Sequence, residues 1–103
     1  MEVSKSFIDD KKVVVRPKEN IDFSNSNELK EELLRVYEDG YNQIDIDFTE
    51  VDRIDSSGLG KLLLFHKRLK EKKGNLVIKN IESNYIKNMF DMIHLDKIIE
   101  IED

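Results

Sequence analysis

Between Ile44 and Leu69 the apolar period of the chain changes from two to about 3.6, and that change constrains the fold more than any other feature. Ile44, Ile46 and Phe48 alternate with Asp45 and Asp47, the pattern of a strand with one apolar face. Leu59, Leu62, Leu63, His66 and Leu69 then recur at helical spacing and form a stripe that should pack on a sheet. Gly74 supplies a stop for that helix, expected over Ser57–Lys73, and Leu76-Val77-Ile78 follows as a short buried strand. Strand, helix and strand in this order form a β–α–β unit.

The alternation continues on both sides. Leu29, Leu33, Val36 and Tyr37 mark an earlier helix closed by Gly40. Its start lies within Ser24–Glu28, where Asn25 with Glu28 resembles a capping box and Ser24 is an equally good cap. Ile86, Met89, Phe90 and Ile93 mark a third helix reached through Glu82-Ser83-Asn84, with its methionines as core filler. Ile98-Ile99-Glu100-Ile101 reads as a last strand. At the other end, Phe7-Ile8 and Val13-Val14-Val15 read as two strands joined by the polar turn Asp9–Lys12. Pro17 either closes the second of these or places it at an edge, since proline cannot donate to a ladder. Right-handed crossovers in this order predict one α/β domain over residues 1–103. It has about three helices and a mixed, mostly parallel sheet of four to five strands with an antiparallel edge.

Composition excludes several classes of function. At 103 residues the chain can bury one modest core. It has no cysteine, hence no disulfide, no thiolate nucleophile and no thiolate-bound metal, as in a reducing cytosol. The longest apolar run, Leu62–Phe65, is far too short to span a membrane, and Met1–Lys5 lacks the apolar stretch of a signal peptide. A net charge of −5 argues against nucleic acid as a partner. The expectation is a soluble cytoplasmic protein that binds neither nucleic acid nor membrane. Lys61, Lys67, Arg68, Lys70, Lys72 and Lys73 nevertheless crowd one segment, where a solvated helix face with cations near its C-terminus accounts for them.

The turn between the central strand and its helix carries the candidate chemistry. In Asp55-Ser56-Ser57-Gly58-Leu59-Gly60 either serine can cap the helix by accepting from its free N–H groups. Gly58 and Gly60 remove bulk, so that another surface can come close. A hydroxyl at a helix N-terminus is also well placed to carry a phosphate, because the local field favours an anion. Capping alone accounts for the same residues. One helical face further along carries Ser57, Gly60, Lys61, Leu64 and Arg68, an outward strip suited to docking a partner.

Enzymatic alternatives fail on geometry. His66 lies on the opposite helical face from Ser57, roughly 13 Å along the axis, and cannot act as its base. His94 is not excluded by spacing, but the Gly-x-Ser-x-Gly elbow of serine hydrolases is missing at Ser57. Gly58-Leu59-Gly60-Lys61 is no phosphate loop, because Asp55 occupies the earlier glycine position and Leu62 replaces the Ser or Thr. Asp45 and Asp47 follow from the polar face of a strand and have no evident third ligand. No enzyme, cofactor or metal is expected.

Ile54-Asp55-Ser56-Ser57-Gly58-Leu59-Gly60 resembles the signature of the STAS domains of bacterial anti-sigma factor antagonists. Asn20-Ile21-Asp22 resembles the family's Gly-x-hydrophobic-Asp segment, with Glu19 where the family usually has Gly. Asp47 matches its strand aspartate, and Phe90-Asp91-Met92 with Leu95–Ile99 resembles its C-terminal segment. The resemblance implies the STAS arrangement over nearly the whole chain. It implies phosphorylation of Ser57 by an anti-sigma factor that is itself a serine kinase. The unphosphorylated form would bind that partner and release a sigma factor, and a serine phosphatase would restore it. Asp22, Asp55, Ser56, Ser57, Gly58, Gly60, Lys61, Leu64 and Arg68 would meet the partner, with Asp55 orienting the hydroxyl and Asp22 and Asp47 tuning the surroundings. Other roles for such a domain are a scaffold in a stressosome or lipid-transport complex, or a module holding a nucleotide or lipid.

Overall fold

The two apolar periods become two layers. A computed structural model describes residues 1–102. Its strands are β1 (Val3–Phe7), β2 (Lys12–Pro17), β3 (Gln43–Asp47), β4 (Asn75–Lys79) and β5 (Glu100–Glu102), and its helices α1 (Ser26–Glu38), α2 (Ser56–Glu71) and α3 (Asn84–Met92). The five strands form one sheet in sequential order, with β1 antiparallel to β2 and the remaining neighbours parallel. This is the α/β class and topology read from the element order. Pro17 ends β2 opposite Val3 of the edge strand β1, so it closes the strand.

A sheet that grows in one direction through right-handed crossovers places every helix on the same face. The register shows which face that is. Val13, Ile44 and Leu76 align across the strands, as do Val15, Ile46 and Ile78, and all six are fully buried. Leu29, Leu33 and Val36 of α1, Leu62, Phe65 and Leu69 of α2, and Ile86 and Phe90 of α3 complete the same core. The stripe on α2 is thus shifted from the expected one. Phe65 is buried, while Leu59 and Leu63 only border the core.

Among the described residues the opposite sheet face carries no helix, and ion pairs cross it. Lys79 Nζ lies 3.0 Å from Asp45 Oδ2, and Arg16 Nε donates to Asp47 Oδ2 at 3.0 Å. Asp45 and Asp47 are therefore buried beneath their own partners, although they alternate as an exposed polar face would.

Several local details correct the sequence expectations. Glu100–Glu102 forms the last strand, while Leu95–Lys97 is a short 3-10 turn and Ile98 and Ile99 precede the strand. Met92 is exposed and Met89 half-buried, so only the latter packs against core residues. α1 ends at Glu38, and Gly40 just beyond it, at φ +106°, is the expected stop, with Gly40 N–H donating to Tyr37 O and Tyr41 N–H to Val36 O. The left-handed residue after α2 is Lys73 rather than Gly74. Gly74 instead packs against the backbone at Asn42, where a Cβ would stand 2.7 Å from the carbonyl oxygen.

Candidate functional site

The loop after β3 is tied at both ends before it reaches α2. Asp47 Oδ1 accepts from Thr49 N at 2.9 Å and Thr49 Oγ1 at 2.6 Å, and Val51 N–H donates to Phe48 O. Burial opposes the charge on Asp47, but the bonds from Thr49 and Arg16 outweigh it and hold the carboxyl below its ordinary value. Asp47 thus closes this turn and pins β3 to β2, and it does not face the serines as an acidic neighbour.

Residues 20–23 run alongside the second half of the loop. Ile21 and Ile54 form a parallel bridge, with Ile21 N–H donating to Arg53 O and Asp55 N–H to Ile21 O, both at 3.1 Å. Asn20 Oδ1 accepts from the N–H groups of Asp52 and Arg53. Asp22 Oδ1 accepts from Ser24 Oγ at 2.5 Å and Ser24 N at 2.9 Å, and these bonds hold its carboxyl below the usual range. Asn25 is the N-cap residue of α1, but its side chain does not cap the helix. Its Oδ1 accepts from Asp22 N and its Nδ2 donates to Asn20 O, so the expected capping box is replaced by a brace across the 20–25 loop. Glu19 is not in the left-handed region, so no glycine is needed there.

Asp55 joins the two halves. It is the N-cap of α2, in extended conformation, and its Oδ1 accepts from Gly58 N at 3.0 Å. Its Oδ2 accepts from Phe23 N at the same distance. The cap is therefore the aspartate and neither serine. Each carboxylate oxygen takes one backbone donor, so Asp55 positions the turn, and among the described residues no hydrogen bond joins it to the Ser57 hydroxyl. Among the described residues, the Ser57 side chain has no hydrogen-bond partner.

The two glycines differ. Gly58 is buried, and a Cβ there would lie 2.5 Å from Ile21 Cγ2 and 2.9 Å from Ile54 Cγ1. The surface that approaches Gly58 belongs to this chain. Gly60 has nothing within 4 Å of the position a Cβ would take, and it faces open space.

Ser57, Gly60 and Lys61 are half-buried, and Ser56, Leu64 and Arg68 are exposed. All of these except Arg68 frame, with the start of α1, a groove of ≈ 440 Å³ bounded by Phe23, Ser26, Ser57, Gly60, Lys61 and Leu64. Phe23, 82% exposed, and Leu64, 65% exposed, are the two large apolar side chains that line this groove together with Ser57. Phe23 lies outside the sequence-predicted set. Its signal is an aromatic residue inside the otherwise polar run Asp22–Glu28. Lys61 and Leu64 also border a second groove of ≈ 360 Å³, which reaches Arg68. His66 points away and is nearly buried, and its burial pushes its pKa below the ordinary value. Among the described residues no His, Cys, Asp or Glu cluster could hold a metal. No helix formed by them is long and apolar enough to cross a membrane.

The family model described as the STAS domain matches residues 2–103. The structure of TM1081 from Thermotoga maritima, provisionally described as an anti-sigma factor antagonist, superposes with a TM-score of 0.90 at 22% identity, covering 98% of this chain and 86% of that one. The anti-sigma factor antagonist SpoIIAA from Bacillus is similar in both of its states. Its unphosphorylated form gives a TM-score of 0.69 at 17% identity, covering 94% of this chain and 97% of that one. Its phosphorylated form gives 0.74 at 18% identity, covering 97% and 90%. A sulfate transporter family protein from Wolinella succinogenes gives 0.73 at 16% identity, covering 87% and 75%. At such identities the likeness is one of fold.

Proposed function

The chain belongs to the STAS domain family, and from that membership we propose that it is an anti-sigma factor antagonist switched by phosphorylation of Ser57. It acts in the cytoplasm as one STAS domain over residues 1–103, without catalysis of its own. Its unphosphorylated form binds an anti-sigma factor with serine kinase activity, so that a sigma factor is released. Phosphorylation ends the contact, and a serine phosphatase restores it.

The observation that carries this reading is the setting of Ser57. Its hydroxyl has no partner within the described chain, and Ser57 lines a groove that two exposed apolar side chains, Phe23 and Leu64, also line. It stands at the start of α2, where the field and the uncommitted N–H groups of the first turn favour a dianion. A phosphate adds about −1.5 to −2 charges at this point. The helix terminus accommodates the group, so the fold persists. A partner packed on Phe23 and Leu64 loses its fit through bulk, desolvation and repulsion of any facing carboxylate. The phosphorylated and unphosphorylated forms of SpoIIAA, both similar to this chain, accord with a switch that leaves the fold intact.

The test is incubation with the cognate kinase and ATP, comparing the native chain with Ser57→Ala. The native chain should take up label and release its partner, and the variant should do neither. Label on the alanine variant, or unchanged cycling, refutes the proposal. The likeness to a sulfate transporter family protein favours a second reading, a regulatory module of a transport assembly, in which Ser57→Ala changes nothing at a sigma-factor regulator.

A further inference from the structure

Beyond the serine, the groove between α1 and α2 is basic in a chain whose net charge is −5. Lys30, Lys61, Lys67 and Arg68 flank Leu34 and Leu64, and Glu71 is the one carboxylate on its rim. Among the described residues none of these four cations pairs with a carboxylate, so no ion pair of the fold engages them. The groove is also continuous with the space in front of Ser57 through Lys61 and Leu64. From Ser57 to Arg68 it extends about 16 Å along α2, roughly three helical turns.

We propose that this groove docks an acidic amphipathic helix of the protein partner, with apolar side chains on Leu34 and Leu64 and carboxylates on Lys30, Lys61 and Arg68. Charge complementarity selects the occupant. An open channel lined by Leu34, Leu64 and Phe65, with cations contributed by both helices, fits a helix bearing carboxylates beside an apolar stripe. The proposal rests on Ser57 facing a protein partner, and it adds a mechanism for release. Lys61 lies one turn after Ser57, the i,i+4 spacing at which side chains meet. A phosphate on Ser57 pairs with Lys61 and takes it from the partner's carboxylate.

The test titrates the full chain, followed by NMR, with a synthetic amphipathic Glu/Leu helix of about 15–18 residues. Shifts should centre on Lys30, Leu34, Lys61, Leu64 and Arg68, and affinity should fall with added salt. The double variant K61E/R68E should bind about tenfold more weakly, and Leu64→Ala about fivefold. Ser57 phosphorylation should also weaken binding several-fold. Shifts elsewhere, equal binding of a peptide with Lys in place of Glu, or insensitivity to K61E/R68E overturns the proposal. So does self-association through this face, or preferential binding of vesicles containing anionic lipid. If K61E/R68E leaves affinity for the cognate kinase unchanged while Ser57→Ala still abolishes labelling, the groove proposal fails and the serine switch stands. If the alanine variant cycles normally, the switch itself has failed.

Discussion

Two glycines separated by a single residue in the first turns of α2 should respond to the same substitution with opposite signs. At Gly58 an added methyl carbon would meet Ile21 Cγ2 at 2.5 Å, Ile54 Cγ1 at 2.9 Å and Ile54 Cδ1 at 3.2 Å. Ile21 and Ile54 are 1% and 2% exposed and are joined by a backbone bridge, so neither can retreat without moving the loops that carry them. Overpacking of this kind costs about 1–3 kcal/mol, and two buried side chains met below 3.0 Å place Gly58 in the upper part of that range, about 2–3 kcal/mol, from which the helix preference of Ala over Gly returns about 1 kcal/mol. Gly58→Ala should therefore lose about 1–2 kcal/mol, a fall in Tm of about 4–8 °C for each kcal/mol in a domain of this size. At Gly60 nothing lies within 4 Å of the added carbon, so only the helix preference remains and Gly60→Ala should gain about 0.5–1 kcal/mol. Urea unfolding followed by circular dichroism measures both. A neutral Gly58→Ala, or a destabilised Gly60→Ala, would show that the packing at this turn is not as described.

Asp55→Ala leaves the N–H groups of Gly58 and Phe23 without their acceptor and should cost about 1–2 kcal/mol; Asp55→Ser should recover the cap on α2 but not the tie to Phe23, which unfolding midpoints would separate. Ser57→Ala should alter stability by less than about 0.5 kcal/mol, since no bond from its hydroxyl holds the fold, while label uptake is lost. Acid stability should fall in two windows. His66 has a depressed pKa, so below its ordinary value of 6.5 the unfolded chain binds the proton first and stability declines; His66→Gln should flatten this part of the urea midpoint profile. Asp47 is also depressed, so its contribution is complete above 3.8 and disappears as pH falls through its lower folded value; Asp47→Asn should remove that second decline at a cost in stability at neutral pH.

Much of this architecture is legible in the residues because burial imposes a period. The alternation in Ile44–Phe48 and the stripe on α2 place a strand and a helix without reference to distant residues. The polar spacing that makes a turn of Asp9–Lys12 is equally local, and Asp9 Oδ1 accepts from the N–H groups of Lys11 and Lys12 there. The outward strip Ser57, Gly60, Lys61, Leu64 and Arg68 follows from helical geometry alone, and the structure places it on two adjoining grooves. Phe65 escapes a reading by leucine spacing because the buried stripe of α2 is rotated away from Leu59 and Leu63, toward the face that Gly58, Leu62, Phe65 and Leu69 share. The capping residue is equally hidden, because Asp, Ser and Ser in succession are all competent caps, and only the approach of Phe23 N–H decides among them.

The order of elements and the placement of a serine at the start of the second long helix were thus determined by the sequence itself, since each depends on neighbours within a few turns of chain, and the mostly parallel sheet follows once the general handedness of crossovers is added. Tertiary structure decided what each residue at that helix start does. Gly58 is required by Ile21, Asp55 is held by Phe23, and Asp45 and Asp47 are buried by Lys79 and Arg16, all contacts between segments far apart in the chain. The groove likewise exists only because the sequential sheet order lays α1 and α2 side by side on one face, a consequence of crossover handedness that no local pattern contains.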